Sequence, residues 1–581
     1  MLDSIIKFSI KNKLIIGALV LALIGWGVYS AKQLPIDAVP DITNNQVQII
    51  TSAPSQSAQD IERLVTFPIE ITMSSIPNIE EVRSFSRFGL SVVTVVFKDN
   101  VDVYWARQQI SERLTEAKNQ IPDGVGTPEM APLTTGLGEI YQYTLYAEKG
   151  YEKEFPAMEL RSIQDWIVRR QLLGLEGVAD VSSFGGFLKQ YEVAIDPERL
   201  LSLNVSVNEV LEALAKNNQN TGGAYIDKTP KAYFIRSEGL IKTKEDIQSI
   251  VVKNVENGTP ILIRDIGKVQ LGSAVRYGAM TRNGDGEVVG AIVMMLKGAN
   301  SSKVINNVKE RIAQTQKSLP EGVAIRPFLD RTKLVNKAIS TVSTNLIEGA
   351  LIVIFILVLL LGNLRAGLIV ASVIPLAMLF AVSLMNTFGV SGNLMSLGAI
   401  DFGIIVDGSV IIVEATLHYL GLKKSGVTLS QKQMDEEVYA SASKIRTSAA
   451  FGEMIILIVY LPILALVGIE GKMFKPMAIT VSFAILGAFI LSLTYVPMMS
   501  ALLLKKKINN KRTFSDKIIE AFQRGYTPLL NFAIENKKKV IIGSILIFAF
   551  SIFTFTRMGS EFIPALDEGD IAIGTRVSTG Y

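Results

Sequence analysis

Asp401, Asp407 and Glu414 are carboxylates inside one of the most apolar stretches of the chain, residues 398–420 (GAIDFGIIVDGSVIIVEATLHYL). Side chains of this type at this spacing can take up and release protons along a helix. On a bilayer insertion scale each mid-helix Asp costs about 2.5–3.5 kcal/mol, so the two Asp together cost roughly 5–7 kcal/mol. The nine Ile, Val and Phe residues from Ile400 to Val413 offset only about 3–5 kcal/mol of that. A lone helix of this composition sits poorly in lipid, so other helices are expected around it. Acids kept in such a place usually mark an ion or proton path.

At 3.6 residues per turn, Asp407 and Glu414 fall within about 20° of each other and about 10 Å apart along the axis. They share a face. Asp401 is expected about 120° around from Asp407 and about 9 Å away, facing another helix or another step of the path. Gly403 stands one turn before Asp407, and Gly408 directly follows it, which allows a neighbouring backbone to come close. The plainer alternative is that these acids only hydrogen-bond helices together. Glu348 and Glu453 are secondary intramembrane acids, each expected nearer a helix end where its side chain can snorkel to water. His418 is expected at a helix end as an interfacial residue rather than a ligand.

The elements that must hold these acids follow from the apolar pattern. The chain has 581 residues, 49% of them hydrophobic, with mean hydropathy +0.34, too apolar for an ordinary soluble protein of this size. Stretches long enough to span a bilayer occur near 14–31, 343–362, 366–386, 394–417, 447–469, 476–504 and 540–556. Three contain an internal proline, Pro375, Pro462 and Pro497, which membrane helices tolerate. The first stretch also fits a secretory signal peptide, but the six later stretches and the lack of a clean cleavage site favour an uncleaved helix.

Lys7, Lys11, Lys13, Arg365, Lys423, Lys424, Lys444, Arg446, Lys505–Lys507 and Lys537–Lys539 all fall on one side if the spans alternate. That side is expected to be cytoplasmic, which puts the roughly 300 residues between the first two spans in the periplasm. Residues 513–536 suggest an amphipathic helix along the inner surface, with Ile518, Ile519, Phe522 and Leu529 among charged residues.

The outer region has an α+β pattern. Residues 47–52 predict a strand, and Ser57 to Asp60 a capping box that opens a helix with Ile61, Leu64 and Val65 on one face. Residues 81–97 predict two strands turning at Phe88-Gly89, followed by a helix with Ala106, Ile110, Leu114 and Ala117 at helical spacing. The order β-α-β-β-α suggests a ferredoxin-like split unit. A second unit starts at residues 140–146 and resumes at 288–296, and residues 186–270, with an Asn/Gly-rich loop at 217–223, form an insert.

Residues 13–17 (KLIIG) leading to 34–41 (LPIDAVPD) recur as 539–543 (KVIIG) leading to 563–570 (IPALDEGD). A repeat about 530 residues apart, of a helix and then a proline-acidic strand start, is a known plan of transporters. Its second copy has barely begun at Tyr581, which suggests a truncated product whose other half has similar length.

Six runs carry a resemblance: 34–49 (LPIDAVPDITNNQVQI), 80–97 (EEVRSFSRFGLSVVTVVF), 103–114 (VYWARQQISERL), 135–145 (TGLGEIYQYTL), 345–354 (NLIEGALIVI) and 396–408 (SLGAIDFGIIVDG). They are long and spread over most of the chain, and the sequence resembles the heavy-metal branch of the resistance-nodulation-division (RND) efflux pumps. The resemblance implies an α-helical transmembrane bundle with α+β periplasmic porter subdomains, in a proton-driven inner-membrane homotrimer. It also implies a periplasmic adaptor and an outer-membrane channel as partners in expelling metal cations. Asp401, Asp407 and Glu414 match the proton-relay helix, whose cationic partner in the family is a lysine from the second half, outside this sequence. The trio is similar to the zinc/cobalt/cadmium type, since the copper/silver type generally lacks the first Asp. Ala415 departs from the expected Asn.

On this basis residues 1–33 are the first span, 34–135 the first porter subdomain, and 136–185 with 271–333 the second. Residues 186–270 are an inserted docking subdomain, 334–505 spans two to six, 506–538 the amphipathic helix, 539–557 the seventh span, and 558–581 the start of a second outer region.

With no cysteine and one histidine, any metal must be bound by Asp, Glu, Met or backbone oxygens. Asp567, Glu568 and Asp570 are weak metal candidates, more simply a solvated loop. Met280, Met294 and Met295 are expected to pack in a core, because consecutive strand residues face opposite sides. Residues 468–473 (GIEGKM) lack the spacing and final Ser/Thr of a phosphate loop, so no nucleotide is expected to drive the protein. Neither a cofactor, a nucleic-acid partner nor an enzymatic reaction is expected of such a pump. The competing functions are export of drugs or other organic compounds, export of copper or silver, and a non-transporting receptor or assembly factor.

Overall fold

The computed structural model describes residues 2–37, 39–54, 56–254, 258–276, 278–398, 400–423, 428–506, 514–559 and 573. Its contacts divide the chain into two compact units, one of Met1–Ala131, Asn300–Ser302 and Thr332–Tyr581, the other of Pro132–Ala299 and Lys303–Arg331.

Among the described residues, seven helices are long and apolar enough to cross a membrane. They are α1 (Lys13–Gln33), α2 (Arg331–Leu361), α3 (Leu364–Thr387), α4 (Phe402–Lys423), α5 (Gln431–Val459), α6 (Gly468–Leu493) and α7 (Lys537–Arg557). Local signals set their starts. Asn363 Oδ1 accepts the Arg365 and Ala366 amides at the head of α3, and Ser430 with Gln433 forms a capping box at the head of α5. Helix α5 runs on the near side well beyond its apolar span, Thr447–Leu464.

The bundle is centred on α3, α4 and α6, whose Ile369, Val373, Ile405, Ile412, Ala484 and Ala488 are buried together. Small residues let these helices approach: Gly487 lies against Phe380, and Gly27 of α1 against Leu379. Lys13 of α1 is tied to Asp435 of α5 at 2.6 Å.

The apolar stretch 394–417 is not one helix. A short helix, Leu394–Gly398, precedes α4, which begins at Phe402. Asn393 and Ser396 cap the start of the short helix: the Asn393 amide donates to Ser396 Oγ at 2.9 Å and the Ser396 amide to Asn393 Oδ1 at 2.8 Å. The stretch near 476–504 is likewise two helices, α6 and Tyr495–Leu503. Phe514–Glu535 is helical.

In the first unit, β1 (Gln46–Ser52), β2 (Ile79–Arg87), β3 (Leu90–Phe97) and β4 (Thr127–Met130) form an antiparallel sheet in the order β2-β3-β1-β4. Phe88 and Gly89 make the β2-β3 turn, with Gly89 at φ 76. Ser57 Oγ accepts the Asp60 amide at the first helix, and Asp102 Oδ1 accepts the Trp105 amide at 2.8 Å at the second. Ile61, Val65, Ile69, Ala106, Ile110 and Leu114 bury one face of each helix against the sheet.

The second unit repeats the plan. β5 (Glu139–Ala147), β6 (Val178–Phe184), β7 (Glu287–Met295) and β8 (Val323–Asp330) pair antiparallel in the order β6-β7-β5-β8. Strands Lys189–Ile195 and Gly267–Ser273 pair with each other and lead into a separate core around Leu200, Val210, Ile247, Ile263 and Val269. The expected loop at 217–223 ends early: Thr221–Lys228 is a strand of a hairpin with Lys231–Ser237. Tyr141 and Tyr143 of β5 are buried, and burial pushes the Tyr141 phenol up to about 12, with Asp330 adding to the shift.

Candidate functional site

Helix α4 turns Ile405, Val406, Ile412, Val413 and Leu420 into the bundle. Gly403, Asp407, Glu414 and His418 are all exposed and lie on the opposite stripe. Steps of four, seven and four residues keep these positions within about 60° of one another. Asp407 and Glu414 therefore share one open face of α4, one above the other.

Asp401 is not on the helix. It precedes Phe402, its Oδ1 accepts the Gly403 amide at 2.8 Å and its carbonyl accepts the Ile405 amide. It is the capping residue of α4, so the expected angle of 120° from Asp407 does not apply. Capping competes well here because a helix start leaves amide donors unpaired and carries positive dipole charge. An Asp ahead of an apolar run is a known start signal, masked in this sequence by apolar residues on both sides.

Glu453 also departs from expectation. It is 3% exposed, so it does not snorkel. It projects from α5 to the α4 backbone at Gly408, where an added methyl would lie 2.6 Å from its carboxyl carbon. Its Oε2 accepts a hydrogen bond from Ser492 Oγ of α6 at 3.4 Å, and its Oε1 has no hydrogen-bond partner. Gly408 thus makes room for a carboxyl group, not for a backbone. Sequence reading missed this because burial of Glu453 depends on which face of α5 meets α4.

Glu348 of α2 and His418 of α4 are exposed. Met295 is buried in the core of the second unit, with Met280 and Met294 half-buried. Asp567, Glu568 and Asp570 lie outside the described residues, among which no group of three or more His, Cys, Asp or Glu could hold a metal. Lys472, in the first turns of α6, pairs with Asp99 at 2.8 Å and donates to the Thr43 carbonyl. A cleft of about 560 Å³ in the second unit has Arg161, Arg169 and Arg170 in its wall, with Asp165 and Asp180 tied to the first two at 2.7 and 3.2 Å. Its excess positive charge disfavours a bare metal cation.

Among the described residues, seven membrane-length helices, carboxylates on α4 and α5, and two split β-α-β-β-α-β sheets together make up the fold that the comparisons match. The AcrB/AcrD/AcrF family matches residues 5–581, and the chain belongs to it. It is 47% identical over 579 residues to the cobalt-zinc-cadmium resistance protein CzcA of Cupriavidus metallidurans, covering 99% of this chain and 54% of that protein. To the cation efflux system protein CusA of Escherichia coli K12 it is 35% identical, covering 98% of this chain and 54% of that one. A crystal structure of a heavy metal efflux pump superposes with a TM-score of 0.83 at 32% identity, covering 97% of this chain and 53% of the other. The chain spans about half the length of the curated relatives it matches.

Proposed function

We propose that the chain is part of an inner-membrane proton/metal-cation antiporter that exports divalent heavy-metal ions of the zinc/cobalt/cadmium type. The observation that carries this is the stacking of Asp407 and Glu414 on one open face of α4, in a bundle where such acids are costly. By the orientation expected from its Lys and Arg residues, Asp401 marks the outer end of α4, and protons pass inward by way of Asp407 and Glu414. The higher identity to a cobalt-zinc-cadmium resistance protein than to CusA supports the metal class.

The assembly is a homotrimer with large periplasmic domains, working with a periplasmic adaptor and an outer-membrane channel. Protons drive it without nucleotide or resident cofactor, and the metal is cargo rather than a reactant. The test is metal tolerance in an efflux-deficient strain carrying the full-length gene, across Zn, Co, Cd, Ni, Cu and Ag. Tolerance to Zn, Co and Cd is expected, with loss in Asp407→Asn. Protection confined to Cu and Ag would overturn the metal class, and full tolerance in Asp407→Asn would overturn the proton role and favour a non-transporting receptor.

A further inference from the structure

Among the described residues, Glu453 is the only Asp, Glu, Lys or Arg that is fully buried. Packing alone does not require an acid there. A leucine or isoleucine would fill the contact between α5 and α4 without burying a polar group, and an unpaired buried carboxyl is costly. The groups around it are few. From α6 comes the Ser492 hydroxyl and from α4 the backbone of Gly408, and the acid next to that contact is Asp407, adjacent to Gly408 in sequence. Glu414 lies about 9 Å further along α4. No cation contacts it among the described residues, so an ionised Glu453 would be a buried charge without a counter-charge. The pocket suits the neutral acid, whose hydroxyl needs an acceptor.

We propose that Glu453 is a second protonatable group of the coupling path, exchanging a proton with Asp407 across the α4–α5 contact. This rests on the proton role assigned above to Asp407. In the exchange the O–H bond of Glu453 breaks and an O–H bond forms on the ionised Asp407. One negative charge moves from α4 into the bundle, and the reverse step resets both groups. Gly408 keeps the route open, since any side chain there would meet the Glu453 carboxyl. The buried acid thereby alternates between neutral and charged forms, and its charged form is the high-energy one. Such a form is short-lived, which ties the proton step to whatever movement of α5 relieves it.

The test measures proton-driven zinc transport against pH in vesicles, using the full-length protein with Asp407→Asn, Glu453→Gln and Glu453→Asp. Asp407→Asn is expected to abolish transport; if it does not, the proton role of Asp407 itself fails. With Asp407 shown to be required, Glu453→Gln is expected to lower the rate by about a hundredfold, the low end of what a positioned proton carrier contributes. Glu453→Asp, which keeps the acid but shortens its reach, is expected to retain transport with a displaced pH profile. Wild-type rate and pH profile in Glu453→Gln would overturn the proposal and leave Glu453 as a structural acid. If Glu453→Gln does not accumulate in the membrane, Glu453→Asp decides: a displaced profile supports the proposal and a coincident one overturns it.

Discussion

Replacing Gly408 with alanine probes the α4–α5 contact at a single atom. The new methyl would sit 2.6 Å from the Glu453 carboxyl carbon, far inside van der Waals contact. Glu453 is 3% exposed, so its carboxyl has little room to withdraw. Overpacking of this kind costs about 1–3 kcal/mol. Exchanging glycine for alanine within a helix gains about 0.5–1 kcal/mol, so the net effect runs from about zero to a loss of about 2.5 kcal/mol. Because one carboxyl group causes the clash, shortening that residue removes it. The double variant Gly408→Ala, Glu453→Ala should then be more stable than the sum of the single changes, by about 1–2 kcal/mol. The assay is the fraction of detergent-purified protein that stays folded and monodisperse after graded heating, for all four proteins of the cycle. Heat resistance clearly above wild type in Gly408→Ala alone, or strictly additive effects across the cycle, would refute the contact.

Two further outcomes follow from local geometry. Asp401→Ala removes the acceptor of the Gly403 amide and should cost about 1 kcal/mol in the same heating assay, whereas Asp401→Asn keeps the cap. Transport lost in the Asn variant, which keeps the cap, assigns the carboxyl a charge role, and transport kept in it leaves Asp401 as a cap. In the second unit, the Lys242 and Thr243 amides donate to Asp246 and hold its carboxyl below the usual 3.8. A depressed value stabilises the fold fully above the unfolded value and loses that effect as pH falls through the folded one. Hydrogen-exchange protection of residues 242–250 should therefore be steady from neutral pH down to about 4 and fall below it. Loss of protection already near pH 6 would contradict this.

Much of the architecture was legible because it rests on short-range rules. The lengths of apolar stretches identified membrane-length helices, and alternating residues around Phe88-Gly89 located a hairpin whose glycine takes positive φ. The spacing of Asp407 and Glu414 placed both on one face because helical period needs no partner to define it. Asp401 was misplaced for the same reason. Periodicity extended the helix through it, and only the hydrogen bond to Gly403 shows where α4 begins.

By itself the sequence determined that apolar helices carry acids, which of those acids share a face, and that the soluble regions alternate strands and helices as split units. Those are properties of period, propensity and cost of burial, all local to the chain. Tertiary structure alone decided which acid is buried. Glu453 is sealed because α5 turns it toward Gly408 of α4 and Ser492 of α6, residues far from it in sequence. Burial is set by what the rest of the chain places on a given face, so no local pattern could distinguish a sealed Glu453 from an exposed Asp407.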